Sequence, residues 1–170
     1  MNIFLIPSWY PSARQPIAGI FTREQAEAVA ALCADIRVIV STWGHAEGTI
    51  PLRKPLQAFE TFRWWLRQPN NQITVRNGVF EVFNPVLDWS SRLPFGGAQR
   101  LLNANRQNYK LAEKQFGKVD LIHAHVSYPA GYIARLLSKE FDAPYILTEH
   151  MGPFPFPSHL KKGRPRQEII

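Results

Sequence analysis

A chain of 170 residues with 45% apolar content and 12% aromatics suits one domain with a sizeable core and is too apolar for general disorder. Its net charge of +7 is uneven: the last twenty residues carry Lys161, Lys162, Arg164 and Arg166 against Glu168, leaving 16 bases and 12 acids over residues 1–150. That excess fits an anionic ligand or membrane surface as readily as nucleic acid. The single cysteine, Cys33, excludes an internal disulfide framework.

Residues 2–7, NIFLIP, form a short apolar run closed by Pro7, the pattern of a strand buried on both faces. From Ile20 the period changes: Ala26, Val29, Ala30 and Cys33 recur at helical spacing, predicting an amphipathic helix with Cys33 on its buried face. IRVIVST, rich in β-branched residues, is the next strand. In the proline-framed segment LQAFETFRWWLRQ, a helical wheel gathers Leu56, Phe59, Phe62 and Leu66 on one stripe and leaves Trp64 and Trp65 off it. The expectation there is an insertion helix packed on its own domain. The segment's four bases, Arg53, Lys54, Arg63 and Arg67, also admit rest at an anionic membrane or around the apolar part of an acceptor.

ITVRNGVFEVF reads as a hairpin about Asn77-Gly78. Residues 97–116 read as a long helix stopped by Gly117, with Ala98, Leu101, Leu102, Tyr109, Ala112 and Phe116 along one side. The last unit is strand VDLIHAHV, a helix capped at Ser127 or Tyr128 with Pro129 in its first turn, and strand APYILTEH. The tail from Met151 is expected to add no strand. This order predicts an α/β fold: a Rossmann-like, doubly wound, mainly parallel sheet of five or six strands with helices on both faces.

Ligands of such sheets bind outside the carboxyl ends of the strands, and the polar oddities of this chain fall there. The first strand runs into Ser8, Trp9 and Tyr10, a later one ends at His123 and His125, and its neighbour at Thr148, Glu149 and His150. Two residues apart on a strand, His123 and His125 point to one face. His123 reads either as a core histidine with both ring nitrogens satisfied or as part of the site, and His125, nearer the strand end, as facing the cleft. A zinc reading would recruit His150 and Glu149, but catalytic zinc motifs show tighter ligand spacing and no thiol cluster supports it. Gly19, just before a helix N-terminus, suits close approach of a phosphate, or serves only its turn. No G-x-G-x-x-G or G-x-x-x-x-G-K-[ST] is present.

PSWYPSARQPIAGIFTREQAEAVA together with VDLIHAHVSYPAGYIARLLSKEFDAPYILTEH resembles the N-terminal, acceptor-side domain of GT-B glycosyltransferases of the family 4 type, over residues 1 to about 155. The resemblance implies two Rossmann-like domains about a cleft, the first holding the acceptor and the second the nucleotide sugar. It implies that Gly19 meets the donor diphosphate and that His125 is the catalytic-centre residue. His123, Glu149, His150 and Tyr10 would line the sugar or acceptor cleft. It implies transfer with retention, no metal and no cofactor, the nucleotide sugar being the donor substrate. The partner expected is a glycan or lipid-linked acceptor, as in polysaccharide biosynthesis, and no nucleic acid.

The family's second domain carries an E-x7-E glutamate pair, and nothing in this chain stands in that context. Residues 1–155 are therefore expected to be one half of a hexosyltransferase-type enzyme, inactive alone. Residues 156–170 are a basic tail or the start of a linker to a C-terminal donor domain. The opening residues lack a signal-peptide pattern and no run is long enough for a membrane span, so the expected location is cytoplasmic, with peripheral membrane contact left open. The alternatives are a noncatalytic sugar- or nucleotide-binding module using the same cleft, a metal hydrolase built on His123, His125 and His150, and a nucleic-acid binder.

Overall fold

In a computed structural model that describes residues 1–51, 53–89, 97–150 and 152, with the backbone of 160–161 and 164–165, alternating apolar periods resolve into an α/β sheet. The elements are β1 (Asn2–Pro7), α1 (Ile20–Leu32), β2 (Arg37–Thr42), α2 (Pro55–Leu66), β3 (Gln72–Arg76), β4 (Val79–Phe83), α3 (Ala98–Phe116), β5 (Leu121–His125), α4 (Tyr132–Phe141) and β6 (Tyr145–Thr148). Six strands form one sheet in the order β3-β4-β2-β1-β5-β6, antiparallel only between β3 and β4. The chain first winds outward from β1 to β2 and β4, then returns through α3 to lay β5 on the other side of β1. The reversal puts the topological switch point between β1 and β5, where Pro7 is in register with His125.

Side chains alternate across the strands, so each buried strand feeds two cores. Phe4, Ile6, Ile39, Val82 and Ile122 pack beneath α3 and α4 with Leu102, Tyr109, Ile133 and Leu137. Leu5, Val38, Val40 and Val79 pack under α1 with Ala26. Helices thus cover both faces, as the continuous apolar runs of β1 and β2 require. A buried polar network ties the sheet to α3. Ser41 Oγ donates to Asn105 Oδ1 at 2.7 Å, Asn108 Nδ2 donates to Ser41 Oγ at 2.8 Å, and Asn84 Nδ2 donates to Asn108 Oδ1 at 2.7 Å.

Asn77 (φ 46°) and Gly78 (φ 80°) both lie in the left-handed region that a two-residue hairpin turn demands. Several expectations need correction. Cys33 is not on α1's buried face: the helix ends at Leu32, and Cys33 is its half-buried C-cap. Tyr128 does not cap α4, because Ser127–Gly131 first make a wide π-type turn with Tyr128 extended, and α4 begins at Tyr132. The tail does hold strand: β7 (Leu160–Lys161) pairs antiparallel with β8 (Arg164–Pro165), apart from the main sheet. Met151 and the rest of the proline-rich stretch lie outside the described residues.

In α2 the stripe of Leu56, Phe59, Phe62 and Leu66 faces outward. Thr61 and the partly buried Trp64 and Trp65 face inward. Trp64 sits against Gly44, where an added Cβ would overlap the indole, and Trp65 Nε1 donates to the Pro85 carbonyl at 3.2 Å. The two indole rings thus seat the helix on the domain.

Candidate functional site

β1 does not stop at Pro7 in its pairing: Ser8 N–H donates to the His125 carbonyl at 3.1 Å, and Ser8 Oγ accepts from Ala130 N–H at 3.2 Å. Immediately after β5, Val126 adopts φ 75°, a strained conformation for a β-branched residue. It is held there because its N–H donates to the Thr148 carbonyl at 2.8 Å and its carbonyl accepts from Gly131 N–H at 3.1 Å. The strained residue turns the chain sharply away from the sheet at the switch point. Glu149 braces this bend, Oε2 accepting from Ser127 N–H at 2.9 Å and Oε1 from His150 N–H at 3.0 Å.

The three histidines converge on the α1 side of the sheet. His123 and His125 rings lie 4.4 Å apart, and His150 from the end of β6 stacks on His125 at 5.0 Å and 17°. His125 Nδ1 is 2.8 Å from His150 Nε2, and His123 Nε2 is 2.8 Å from Thr148 Oγ1. Thr22 of α1 brings its hydroxyl to 3.5 Å from the same His125 nitrogen, and Phe21 packs on the His150 ring at 4.2 Å.

The burial order is the reverse of the expected one: His125 is 1% exposed, whereas His123 is half-buried and His150 exposed. Alternation fixes the face a strand residue points to, but its depth depends on what covers it, here Thr22 and His150. Burial, then the neighbouring His123 and His150, push the His125 pKa down to about 3, and burial followed by His150 lowers that of His123. His125 is therefore neutral at pH 7. Its Nε2 and the Ser127 hydroxyl are buried with no hydrogen-bond partner among the described residues, a state that is rare in folded proteins. Among the described residues no group of three or more His, Cys, Asp or Glu side chains has a metal-holding arrangement.

Gly19 is the N-cap of α1 at φ 68°, and an added Cβ would overlap the Trp9 carbonyl oxygen. Glycine is thus required by the fold itself, to fit the loop against the end of β1. Its carbonyl accepts from Thr22 N–H at 3.0 Å, which begins the helix. Tyr10 is buried, donating its hydroxyl to Glu81 Oε1 at 2.9 Å; burial and the Glu81 carboxylate raise its pKa. The structure thus brings His123, His125, Glu149 and His150 together, with Gly19 on the loop that follows β1 and Tyr10 lining the cavity beside them.

Beside this cluster a cavity of about 690 Å³ opens over the carboxyl ends of β1 and β2, lined among others by Trp9, Arg14, His45, Glu60, Asp88 and Pro129. Its floor is the His45 ring stacked on the buried Trp43 at 4.0 Å and 24°. Desolvation pushes the His45 pKa down to about 4, against a partial opposing contribution from the Pro7 carbonyl, 3.4 Å from Nε2. The loop bearing Arg14 is fixed from two sides. Arg14 N–H donates to the buried Glu47 carboxylate at 2.8 Å, and Nη1 donates to Thr61 Oγ1 of α2 at 3.5 Å. Trp43 and His45 were missed in the sequence although a signal was present: they follow the end of β2, and the rule applied to β1, β5 and β6 applies equally there.

No family model matches the chain. It is 29% identical over 170 residues to the "Putative teichuronic acid biosynthesis glycosyltransferase TuaC" of Bacillus subtilis, an alignment covering 96% of this chain and 39% of that protein. A second relative, the "Uncharacterized glycosyltransferase MJ1178" of Methanocaldococcus jannaschii, is 36% identical over 56 residues, 33% of this chain and 15% of the relative. The chain spans about two fifths of the length of TuaC. It is distantly homologous to glycosyltransferases over most of its length.

Proposed function

We propose that residues 1–155 are the acceptor-side half of a GT-B, family 4 type glycosyltransferase. The complete protein would move a sugar from a nucleotide donor to a polysaccharide or lipid-linked acceptor, and residues 156–170 would lead toward a donor-binding domain. The observation that carries the reading is the gathering of His125, Ser127 and Glu149 at the switch point between β1 and β5, beside the 690 Å³ cavity. The distant homology to TuaC adds an acidic cell-wall polysaccharide of the teichuronic type as the first acceptor pathway to test.

In this reading the acceptor sugar occupies the cavity, with the half-exposed Trp9 ring as a stacking surface and Arg14, Glu60 and Asp88 as hydrogen-bonding groups. The start of α1, after Gly19, faces the leaving diphosphate, whose charge the helix dipole stabilises. The bond from the anomeric carbon to the phosphate oxygen breaks, the electron pair leaves with the diphosphate, and the acceptor oxygen takes its place with retention. A ring whose pKa lies near 3 is a poor proton acceptor at pH 7. His125 therefore acts as a neutral hydrogen-bonding group that orients sugar hydroxyls, and the acceptor's proton passes to the departing phosphate. Because His150 lies over His125, sugar reaches that ring only when His150 moves aside.

The test is to join residues 1–155 to a donor-binding domain and screen nucleotide sugars for turnover with a membrane-lipid or polysaccharide acceptor fraction. Sugar transfer that depends on residues 1–155 supports the proposal. Tight nucleotide-sugar or glycan binding with no turnover for any donor would overturn it in favour of a noncatalytic module.

A further inference from the structure

The outward face of α2 has no role in the fold or in the reaction just described. Leu56 is 81% exposed, Phe59 60%, Phe62 43% and Leu66 61%. They line one side of a twelve-residue helix whose other side is already occupied by Thr61, Trp64 and Trp65. Four large apolar side chains in one exposed stripe form a patch, and such patches mark interaction surfaces. Bases surround it: Arg53 and Lys54 precede the helix, Arg63 lies within the stripe with its guanidinium 5.8 Å from the Phe59 ring, and Arg67 follows. Glu60 is the sole acid from residue 53 to 67.

We propose that α2 docks the protein on an anionic lipid surface, lying in the interface plane with Leu56, Phe59, Phe62 and Leu66 among the acyl chains and the flanking arginines and Lys54 at the headgroups. A ring of bases about an apolar stripe on a convex helix complements a flat, negatively charged, apolar-cored surface. A neutral protein groove would leave those charges desolvated and unpaired. Long basic side chains meet both demands of the membrane, since their stems cover apolar surface while their charged ends stay at the headgroups. Gln57 and Glu60 of the same helix line the 690 Å³ cavity, so a docked α2 would set the cavity mouth beside the lipid. That last consequence rests on the transferase reading, as delivery of a lipid-linked acceptor; the docking itself does not.

The experiment is co-sedimentation of the full chain with phosphatidylglycerol-containing vesicles and with pure phosphatidylcholine vesicles. Binding to the anionic vesicles, weakened at least about tenfold in Phe59→Ser/Phe62→Ser and in Arg63→Glu/Arg67→Glu, is the expected result. Circular dichroism shows whether each variant keeps its fold, and a variant that does not is replaced by Leu56→Ser/Leu66→Ser, which carries the same expectation. Neutralising Lys161, Lys162, Arg164 and Arg166 should leave most of the binding in place. The proposal is overturned if the wild-type chain ignores anionic vesicles, or if binding survives the α2 variants and disappears with the tail bases. It is also overturned if light scattering finds a dimer that the α2 substitutions dissociate. Vesicle binding without sugar transfer by the joined protein would sink the transferase reading alone.

Discussion

His125 Nδ1 and His150 Nε2 lie 2.8 Å apart, within hydrogen-bond distance of each other. Burial first, then the neighbouring His123 and His150, disfavour a charge on the buried ring, which is why its pKa falls to about 3. The unfolded chain takes up this proton near pH 6.5, so between pH 6.5 and 3 the unfolded state binds more protons than the folded one. Stability from this group is complete above pH 6.5 and is lost as pH falls, by roughly 2 kcal/mol at pH 5. Urea unfolding midpoints at pH 7.5 and 5.0 should show that loss, and His125→Asn should flatten the dependence. An unchanged pH slope in the variant would mean that other groups control it.

The two rings also separate by their burial. His125→Ala removes a side chain that is 1% exposed and leaves a cavity, so it should cost about 2–3 kcal/mol of stability and, on the proposed transferase reading, turnover as well. A site role independent of folding is better read from His150→Ala. This exposed ring should contribute under about 1 kcal/mol to stability, while its removal uncovers His125 and, on the proposed transferase reading, shifts the KM for sugar substrate. Thermal midpoints beside steady-state kinetics check both; a His150→Ala enzyme with unaltered KM would deny it any covering role.

Gly19→Ala should destabilise by at least about 2 kcal/mol, because the left-handed φ of 68° and the overlap with the Trp9 carbonyl act together. Loss of donor binding in that variant would accordingly report the displaced loop as much as a lost phosphate contact. Denaturant midpoints measured alongside nucleotide-sugar affinity resolve the two, and a fully stable Gly19→Ala protein would contradict the packing described.

Asn108 links the end of β2 to the residue after β4 inside the sheet–α3 interface, donating to Ser41 Oγ and to the Thr42 carbonyl while accepting from Asn84. Asn108→Ala should cost about 2–4 kcal/mol, since it strands buried partners that water cannot reach. Chemical denaturation measures it; a loss below about 0.5 kcal/mol would mean the network is solvated.

Most of the fold was legible because its signals are local. The Asn77-Gly78 turn needs two positive φ values and declares them by residue type, and α3 ends at Gly117 as its stop predicts. The winding of β1, α1 and β2 followed from a change of apolar period. What was illegible depends on partners distant in sequence. The periodicity of α2 revealed an apolar stripe but could not say that two tryptophans would win the inward face, because Gly44, twenty residues earlier, supplies the seat. The depth of His125 is decided by Thr22 and His150, from other elements. The strain at Val126 has no sequence signature at all, since the residue type argues against the conformation it adopts.

The seat of α2 gives a final prediction. Gly44 is at φ 82°, and any side chain there would strike the Trp64 ring. Gly44→Ala therefore meets two penalties at once, backbone strain and eviction of the indole, and should lower stability by about 2–4 kcal/mol. The effect should be regional as well as global, because Trp64 and the Trp65 hydrogen bond to Pro85 are what hold the helix down. Trypsin should then cut at Arg63 or Arg67 at least about tenfold faster than in the wild type, ahead of sites in α3, as expected for local opening of one element. Trp64→Phe, which keeps part of the ring and the glycine's space, should fall between the two. If Gly44→Ala leaves proteolysis at these arginines unchanged, the indole is not the anchor, and the outward stripe of Leu56, Phe59, Phe62 and Leu66 rather than the tryptophans must pack on the domain in solution.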